Sequence, residues 1–215
     1  HPNVTAEVTR QTLGWLRKAA IDCHREVGCT IYGSLSLSSR QTPISDALRS
    51  GLERAVERWP ELRAAVESIP PGEIYRRWIY VVDWRLQQTS RVQLGAAPPD
   101  GAYGGAGEVE QDIQLLAESL SGAHNAVLVD GEIQRWIDQI RAFGLHLTRL
   151  DIRQDARQYE RVMSEMAAAV GLCEDYSALD EAGRQRFLLD LWRRPMAWET
   201  WRLSEEARET LNLFS

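Results

Sequence analysis

The sequence has no long apolar run, few cysteines and no cluster of positive charge. No stretch reaches the roughly 18 apolar residues of a membrane-spanning helix, and no basic start leads into an apolar signal segment. The 25 Lys and Arg residues are scattered and are outnumbered by 31 Asp and Glu, which leaves a net charge of −6. These absences argue against a membrane partner and against a nucleic-acid partner, whose affinity comes mainly from clustered positive charge. We expect a cytoplasmic protein.

Residues that bind metals are also sparse. Cys23 and Cys29 lie six residues apart with His24 between them, but side chains at this helical spacing do not converge on one metal ion. Together with Cys173 they are the three cysteines of the chain, which do not form the pattern of a disulfide framework. We expect buried free thiols. We expect no metal site, because the four histidines are isolated from one another in the sequence.

Helical periodicity covers most of the chain. In the segment 5–27 the apolar residues form one stripe of a helix, namely Val8, Trp15, Leu16, Ala19, Ala20, Cys23 and Val27. Eight further segments are predicted helices, namely 44–59, 61–67, 73–88, 109–120, 132–143, 155–170, 180–192 and 204–214. The composition, 44% hydrophobic and 26% charged over 215 residues, suits one substantial core. We predict a mainly α fold in which residues 1–215 form a single body.

Short polar residues and glycines mark several predicted helix ends. Asp130 and Asp155 can each accept hydrogen bonds from the free backbone N–H groups at a helix start. Gln158, three residues after Asp155, would complete a capping box. Gly144 and Gly171 follow the last helical residues, where the backbone often turns into a conformation that favours glycine.

Two segments break the helical pattern. Residues 95–107 are rich in Gly, Pro and Ala and predict a loop or internal hinge. Residues 145–152 alternate apolar and polar side chains with one slip, and predict a β-strand. A single strand would leave its backbone N–H and C=O groups unpaired. Either this segment is not a strand in this chain, or its partner strands belong to a larger protein.

The eight tryptophans and the serine-rich segment have structural explanations. Trp15, Trp78, Trp84 and Trp136 lie in helical patterns, so we expect them to anchor helix packing rather than to stack on a ligand. The serines of segment 34–39 have no nearby histidine to act as a base. Neither feature predicts a catalytic site.

A polar cluster follows the predicted strand. Arg153 lies between Asp151 and Asp155, and in barrel enzymes the groups at the C-terminal ends of strands face the active site. A guanidinium suits phosphate because its donors match two oxygens and its charge is permanent. The alternative is that Arg153 only pairs with the two aspartates. Spacing alone leaves both interpretations open.

Several segments resemble the phosphoenolpyruvate carboxylase family. The most specific is FGLHLTRLDIRQ at 143–154, which is similar to a barrel strand of that family that begins with Phe-Gly and ends in Asp-Ile-Arg-Gln. The opening HPNVTAEVTR resembles the continuation of a Gly-Gly-Asp-Arg-Asp-Gly-Asn-Pro motif, with His1 where Asn is usual. Shorter similar segments are LSLS at 35–38, EIYR at 73–76, LLAESL at 115–120 and Arg194-Pro195. The resemblance covers the whole chain.

The resemblance implies a central piece of a larger enzyme. The family converts phosphoenolpyruvate and bicarbonate to oxaloacetate and phosphate, an anaplerotic carbon fixation that feeds the tricarboxylic acid cycle. It uses Mg or Mn in a tetrameric, largely helical α/β barrel. Arg153 then becomes a ligand of the substrate phosphate. The family's catalytic His and Lys, its carboxylate metal ligands and its Gly-Arg-Gly-Gly loop lie outside this chain, so the chain alone is expected to be inactive and to bind no cofactor.

Two departures from the family pattern support an alternative. Where the family usually has Arg-Gln-Glu-Ser-x-x-His, this chain has Ala156 in place of the serine and Tyr159 in place of the histidine. The alternative is a non-catalytic helical scaffold or regulatory paralogue that kept the fold and lost the chemistry.

Overall fold

The structure is a computed structural model. It describes residues 5–35, 43–92, 97–122, 129–149, 151, 155–173, 175–194 and 197–214. Of these described residues 74% are helical and none is in a strand. The predicted mainly α class is therefore confirmed.

Nine α-helices follow one another along the described parts of the chain. They are α1 (Ala6–Ser34), α2 (Asp46–Arg58), α3 (Arg63–Ser68), α4 (Ile74–Ser90), α5 (Ala106–Gly122), α6 (Gln134–Phe143), α7 (Ala156–Val170), α8 (Glu181–Trp192) and α9 (Glu205–Asn212). Short 3-10 turns occur at Pro60–Leu62 and Trp198–Thr200, and a π-helical turn, Val129–Ile133, leads into α6. Every predicted helix has a counterpart among them.

The chain divides into two compact units. The larger unit is Leu13–Arg149, and the smaller unit combines His1–Thr12 with Leu150–Ser215. The division falls near residue 150 rather than in the segment 95–107. The expectation that the whole chain packs as a single body stays a prediction.

The larger unit has a continuous apolar core. Its largest fully buried side chains include Trp136 of α6, Tyr75 and Leu86 of α4, and Ile113 and Leu116 of α5. The Trp78 indole N–H donates to the Asp112 carbonyl at 2.8 Å, so its one polar atom is satisfied inside the core. Each of these helices buries one apolar stripe, as the sequence pattern predicts.

The smaller unit has its own core, formed by α7, α8 and α9. Val162 and Met166 of α7 pack with Phe187 and Leu191 of α8 and with Ala207 of α9. Glu165 of α7 accepts from both the backbone N–H and the hydroxyl of Ser204, each at 2.7 Å. Ser204 in turn caps α9 by accepting from the Ala207 N–H.

The buried stripe of α1 differs from the predicted one. The residues that are buried within the helix are Ala6, Thr9, Ala20, Ile21, His24, Gly28 and Ile31. Val8 and Trp15, both assigned to the predicted stripe, are exposed by 54% and 72%. The prediction counted only apolar side chains and so placed the stripe on a neighbouring face of the helix. The true stripe contains a histidine and a glycine.

The predicted strand over 145–152 is wrong for the part that the structure describes. Residues 144–148 form a turn, in which the Leu147 N–H donates to the Phe143 carbonyl at 3.1 Å and Leu147 has φ +63°. The backbone groups therefore bond locally, as expected where no second strand is present to pair with them. Residues 150 and 152 lie outside the described parts.

Residues 97–105 are irregular, as predicted, whereas Ala106 and Gly107 begin α5. The irregular part is tightly anchored. Tyr103 is 2% exposed, and its backbone N–H donates to the Thr89 hydroxyl at 2.8 Å. Gly101 lies against the Trp84 ring with φ +81°. These contacts join the segment to α4. A hinge within 95–107 stays a prediction.

The predicted helix ends are mostly confirmed. Asp155 caps α7 by accepting from the Arg157 N–H at 2.8 Å, while Gly144 and Gly171 end α6 and α7 with positive φ. Two details are wrong. Asp130 lies inside the π-helical turn rather than at a cap. Gln158 does not complete a capping box, since its amide oxygen accepts from Arg161 and its amide nitrogen donates to Thr210.

Candidate functional site

Arg153, the one predicted site residue, lies outside the described residues. Its two predicted partners are described at least in part. Asp151 is exposed, and Asp155 uses one carboxylate oxygen to cap α7. Whether Arg153 pairs with them or binds a ligand therefore stays a prediction. Of the segment that precedes Arg153, the structure describes residues 144–149 and 151.

Gly144 controls the direction of the chain after α6. Its φ of 55° and ψ of −142° lie in a region that only glycine adopts without strain. Its N–H donates to the Ile140 carbonyl at 2.8 Å. Leu145, the next residue, is 3% exposed and belongs to the core of the larger unit. The chain thus leaves α6 in a defined direction.

His24 of α1 forms a hydrogen bond to the carbonyl group of Gly144. The His24 side chain is buried, and its Nε2 atom lies 2.8 Å from the Gly144 carbonyl oxygen. The Trp136 indole N–H donates to His24 Nδ1 at 3.3 Å. The Trp136 ring also covers Gly28, where an added Cβ would lie 3.1 Å from the ring. Both ring nitrogens of His24 are therefore used.

The chemistry of the two partners defines the state of His24. An indole N–H can only donate, so Nδ1 carries no proton. A carbonyl oxygen can only accept, so Nε2 carries the proton and donates to Gly144. Burial lowers the pKa of His24, an effect that the bond to Gly144 only partly offsets. The imidazole is thus held neutral in one tautomer, which suits a structural hydrogen bond better than proton transfer.

His24 was missed as a site residue because it was considered only as a metal ligand. The signal that would have identified it is the spacing Ile21, His24, Gly28 and Ile31 on one face of a helix. A histidine inside an apolar stripe needs a buried hydrogen-bond partner. The sequence does not reveal which residue supplies that partner.

A second polar cluster lies in the larger unit around Arg85. Its guanidinium donates to Asp112 and Glu108, each at 2.8 Å, and its carbon lies 3.8 Å from the Tyr103 ring centre. The Tyr103 hydroxyl donates to the same Asp112 oxygen at 2.8 Å. Burial raises the pKa of Asp112 despite the opposing effect of Arg85, and burial also raises the pKa of Tyr103 well above its ordinary value.

The Arg85 cluster joins α4, α5 and the segment between them. Arg85 Nε also donates to the Gly101 carbonyl at 3.2 Å. Each of the three guanidinium nitrogens thus has an acceptor inside the protein. We interpret this cluster as structural.

The other expected groups give a mixed outcome. No group of three or more His, Cys, Asp or Glu side chains within the described ranges is placed to hold a metal ion. The three cysteines are free, as predicted, but Cys23 and Cys29 are exposed rather than buried. Trp78 and Trp136 are core anchors, whereas Trp15 is mostly exposed. No helix in the described part of the chain is long and apolar enough to span a bilayer.

Comparison with known proteins decides the family. The family model described as phosphoenolpyruvate carboxylase matches residues 1–215, which is the whole chain. The chain belongs to the phosphoenolpyruvate carboxylase family. Phe143 and Gly144 form the Phe-Gly pair of the segment 143–154, which resembles the family. At this pair α6 ends, and His24 forms a hydrogen bond to the Gly144 carbonyl.

Curated phosphoenolpyruvate carboxylases from several bacteria are similar to this chain. The one from Roseiflexus castenholzii is 33% identical over 196 residues, covering 87% of this chain and 21% of that protein. Those from Aromatoleum aromaticum and Azoarcus sp. are 30% and 31% identical over 222 residues, covering 100% of this chain and 23% of each protein. The chain thus spans about a fifth of the length of these carboxylases.

Proposed function

We propose that this chain supplies part of the active-site framework of a phosphoenolpyruvate carboxylase. In the proposal, the parent protein joins phosphoenolpyruvate and bicarbonate to form oxaloacetate and phosphate. The observation that carries it is the family match over residues 1–215, which includes the segment ending in Asp-Ile-Arg-Gln. The boundary between the two units lies within that segment, near residue 150.

Arg153 is the residue proposed to contact substrate. Its guanidinium would bind the phosphate of phosphoenolpyruvate through two parallel hydrogen bonds, which fix orientation as well as charge. Mg or Mn would be held by carboxylates from parts of the parent outside this chain, as the resemblance to the family implies. The parent is further proposed to be a cytoplasmic homotetramer, with the remainder of the same polypeptide as this chain's main partner.

The test of the site is Arg153→Ala in the full-length protein. Charge-assisted hydrogen bonds contribute about 1.5–3 kcal/mol, so we expect kcat/KM to fall by roughly tenfold to several hundredfold. Arg153→Lys should recover only part of the activity, because an ammonium retains the charge and loses the paired donors. Arg157→Ala is a matched control, since Arg157 is an exposed arginine four residues away in the first turn of α7.

The alternative role of Arg153 predicts a different result. If Arg153 only pairs with Asp151 and Asp155, Arg153→Ala will lower the melting temperature and leave the kcat/KM of the folded enzyme unchanged. Steady-state kinetics and thermal unfolding of the same preparations separate the two. Normal kcat/KM with reduced stability would contradict the phosphate assignment.

A second candidate function is a non-catalytic paralogue. Ala156 is exposed at the first turn of α7, and the Tyr159 ring packs 6.0 Å from the Phe214 ring within the smaller unit. Tyr159 is thus used for packing at the position where the family usually has a histidine. Oxaloacetate formation by the purified full-length protein would reject this candidate, and its absence under conditions where a relative is active would support it.

A further inference from the structure

Helix α8 is apolar on two sides, and the core of the smaller unit covers only one of them. Phe187 and Leu191 belong to that core, where the Phe187 ring packs edge-on against Tyr176 with the ring centres 5.1 Å apart. Arg184, three residues before Phe187 and on the same side of the helix, donates to Glu160 of α7 at 3.0 Å. These contacts fix the rotation of α8, so its other side cannot turn into the same core without losing them.

The other side of α8 carries three large apolar residues that are exposed. Leu188 and Leu189 are 46% and 58% exposed, and Trp192 is 87% exposed. Residues three and four apart are neighbours on a helix surface, so Trp192 lies next to both leucines and the three form one patch, the outer patch of α8. A single exposed apolar residue needs no explanation, but a contiguous patch marks an interaction site.

Helix α2 shows the pattern that is expected when one side of a helix faces solvent. Its exposed residues are Asp46, Ala47, Arg49, Glu53, Arg54, Glu57 and Arg58, of which only the alanine is apolar. A helix that is apolar around most of its circumference is ordinarily buried inside a larger protein. The composition of α8 therefore indicates that another surface covers the outer patch.

The size of the outer patch favours an occupant from the same polypeptide. An aromatic side chain offers about 150–250 Å² and a leucine about 60–120 Å², so the three partly exposed residues offer roughly 200–350 Å². A stable contact between separate molecules buries about 800 Å² on each partner, which is more than twice that area. A segment of the same chain needs less area, because covalent connection removes much of the entropic cost of association.

The curated carboxylases are long enough to supply such an occupant. This chain covers 21% or 23% of each of the three compared above, so about four-fifths of each protein lies outside the matched part. We propose that the outer patch of α8 is an internal interface of the parent, covered by an apolar surface of the polypeptide outside residues 1–215. This inference rests on the proposed function, in which the chain is one part of a longer carboxylase.

The test is thiol labelling of Leu189→Cys in the full-length protein and in the 215-residue chain. Asp190→Cys is the matched control, because Asp190 is also exposed and is turned away from Leu189 by about 100° around the same helix. Each labelling rate is divided by the rate for the same variant unfolded in urea. Peptide mass spectrometry separates the new cysteine from the three native ones.

We expect the two variants to differ only in the full-length protein. There Leu189→Cys should be labelled at least about tenfold more slowly than Asp190→Cys, because a covered thiol reacts only when its interface opens. In the 215-residue chain the two rates should agree within about threefold, since both positions are exposed and access controls the rate.

A second measurement does not depend on thiol chemistry. Leu189→Ser removes apolar surface that is buried only if the outer patch is covered, so the full-length protein should unfold in urea at least about fivefold faster, whereas Asp190→Ser should change this rate by less than about twofold. In the 215-residue chain Leu189→Ser should leave the melting temperature within about 2 °C of the unsubstituted chain, because the side chain is exposed there.

The outcomes separate the alternative occupants. Equal labelling of Leu189→Cys and Asp190→Cys in the full-length protein would overturn the proposal. Slow labelling of Leu189→Cys that becomes fast when the full-length protein is diluted to monomers would also overturn it, because a second copy would then be the occupant. Slow labelling already in the 215-residue chain would exclude the remaining polypeptide as the occupant.

Oxaloacetate formation decides the proposed function separately. A full-length protein that forms no oxaloacetate but protects Leu189→Cys as a monomer would contradict the catalytic role and support the internal interface. An active full-length protein in which Leu189→Cys is labelled as fast as Asp190→Cys would support the catalytic role and overturn the interface.

Discussion

Gly101→Ala tests whether the segment between α4 and α5 is a packed part of the larger unit. Gly101 has φ +81°, and an added Cβ would lie 2.2 Å from Trp84 Cζ3 and 2.5 Å from Cη2. A positive φ costs an ordinary residue about 1–2 kcal/mol, and forcing a methyl group into a packed site costs about 1–3 kcal/mol. We therefore expect the free energy of unfolding to fall by about 2–5 kcal/mol.

Gly107→Ala is the matched control. Gly107 lies in the first turn of α5, six residues from Gly101, and an added Cβ there would meet nothing within 4 Å. Alanine loses less backbone entropy than glycine on folding, so we expect this change to raise the free energy of unfolding by at most about 1 kcal/mol. The two variants make the same chemical change in the same region, with opposite expected signs.

The assay is urea unfolding of the purified chain, followed by tryptophan fluorescence and circular dichroism. The midpoint should move while the slope m stays constant, since a single methyl group barely changes the surface exposed on unfolding. A loss of less than about 1 kcal/mol for Gly101→Ala would refute the reasoning, because it is below the sum of the two smallest costs. It would mean that the segment yields easily, as a flexible hinge would.

Three further predictions follow from other parts of the chain. The pKa of His24 is lowered in the folded state, so the unfolded chain binds a proton more readily, and the free energy of unfolding should fall below about pH 6.5 by up to about 1.4 kcal/mol per pH unit. The difference in the free energy of unfolding between wild type and His24→Gln should therefore shrink as the pH decreases. A difference that does not change with pH would contradict this. Asp180 caps α8 by accepting from the Gly183 N–H at 2.8 Å, so Asp180→Ala should cost about 1 kcal/mol in urea unfolding, whereas the exposed Asp190→Ala should cost far less. The isolated 215-residue chain should neither bind Mg tightly nor form oxaloacetate, because the resemblance to the family implies that the metal ligands and the catalytic His and Lys lie outside this chain. Product above a no-protein control would refute this, and calorimetry with MgCl₂ tests the binding.

The positions of the helices could be predicted well because their signals are local. Asp155 before α7 and Gly171 after it act through hydrogen bonds and backbone angles within a few residues. Which face of α1 is buried could not be predicted equally well. Counting apolar residues alone predicted that Trp15 is buried. The face of α1 that packs on α6 instead carries His24, which accepts a hydrogen bond from Trp136, and Gly28, which lets the Trp136 ring approach closely.

By itself, the sequence determined the mainly α class, most helix ends, the free state of the thiols and the membership of the phosphoenolpyruvate carboxylase family. These follow from periodicity, from short-range capping and from motifs that are read residue by residue. Only the tertiary structure decided that His24 donates to Gly144, 120 residues away, and that residues 144–148 turn instead of forming a strand. The physical reason is that a buried side-chain donor, or a backbone N–H or C=O group without a strand partner, bonds to whichever group the fold brings near. When that group is far away along the chain, the local sequence does not reveal it.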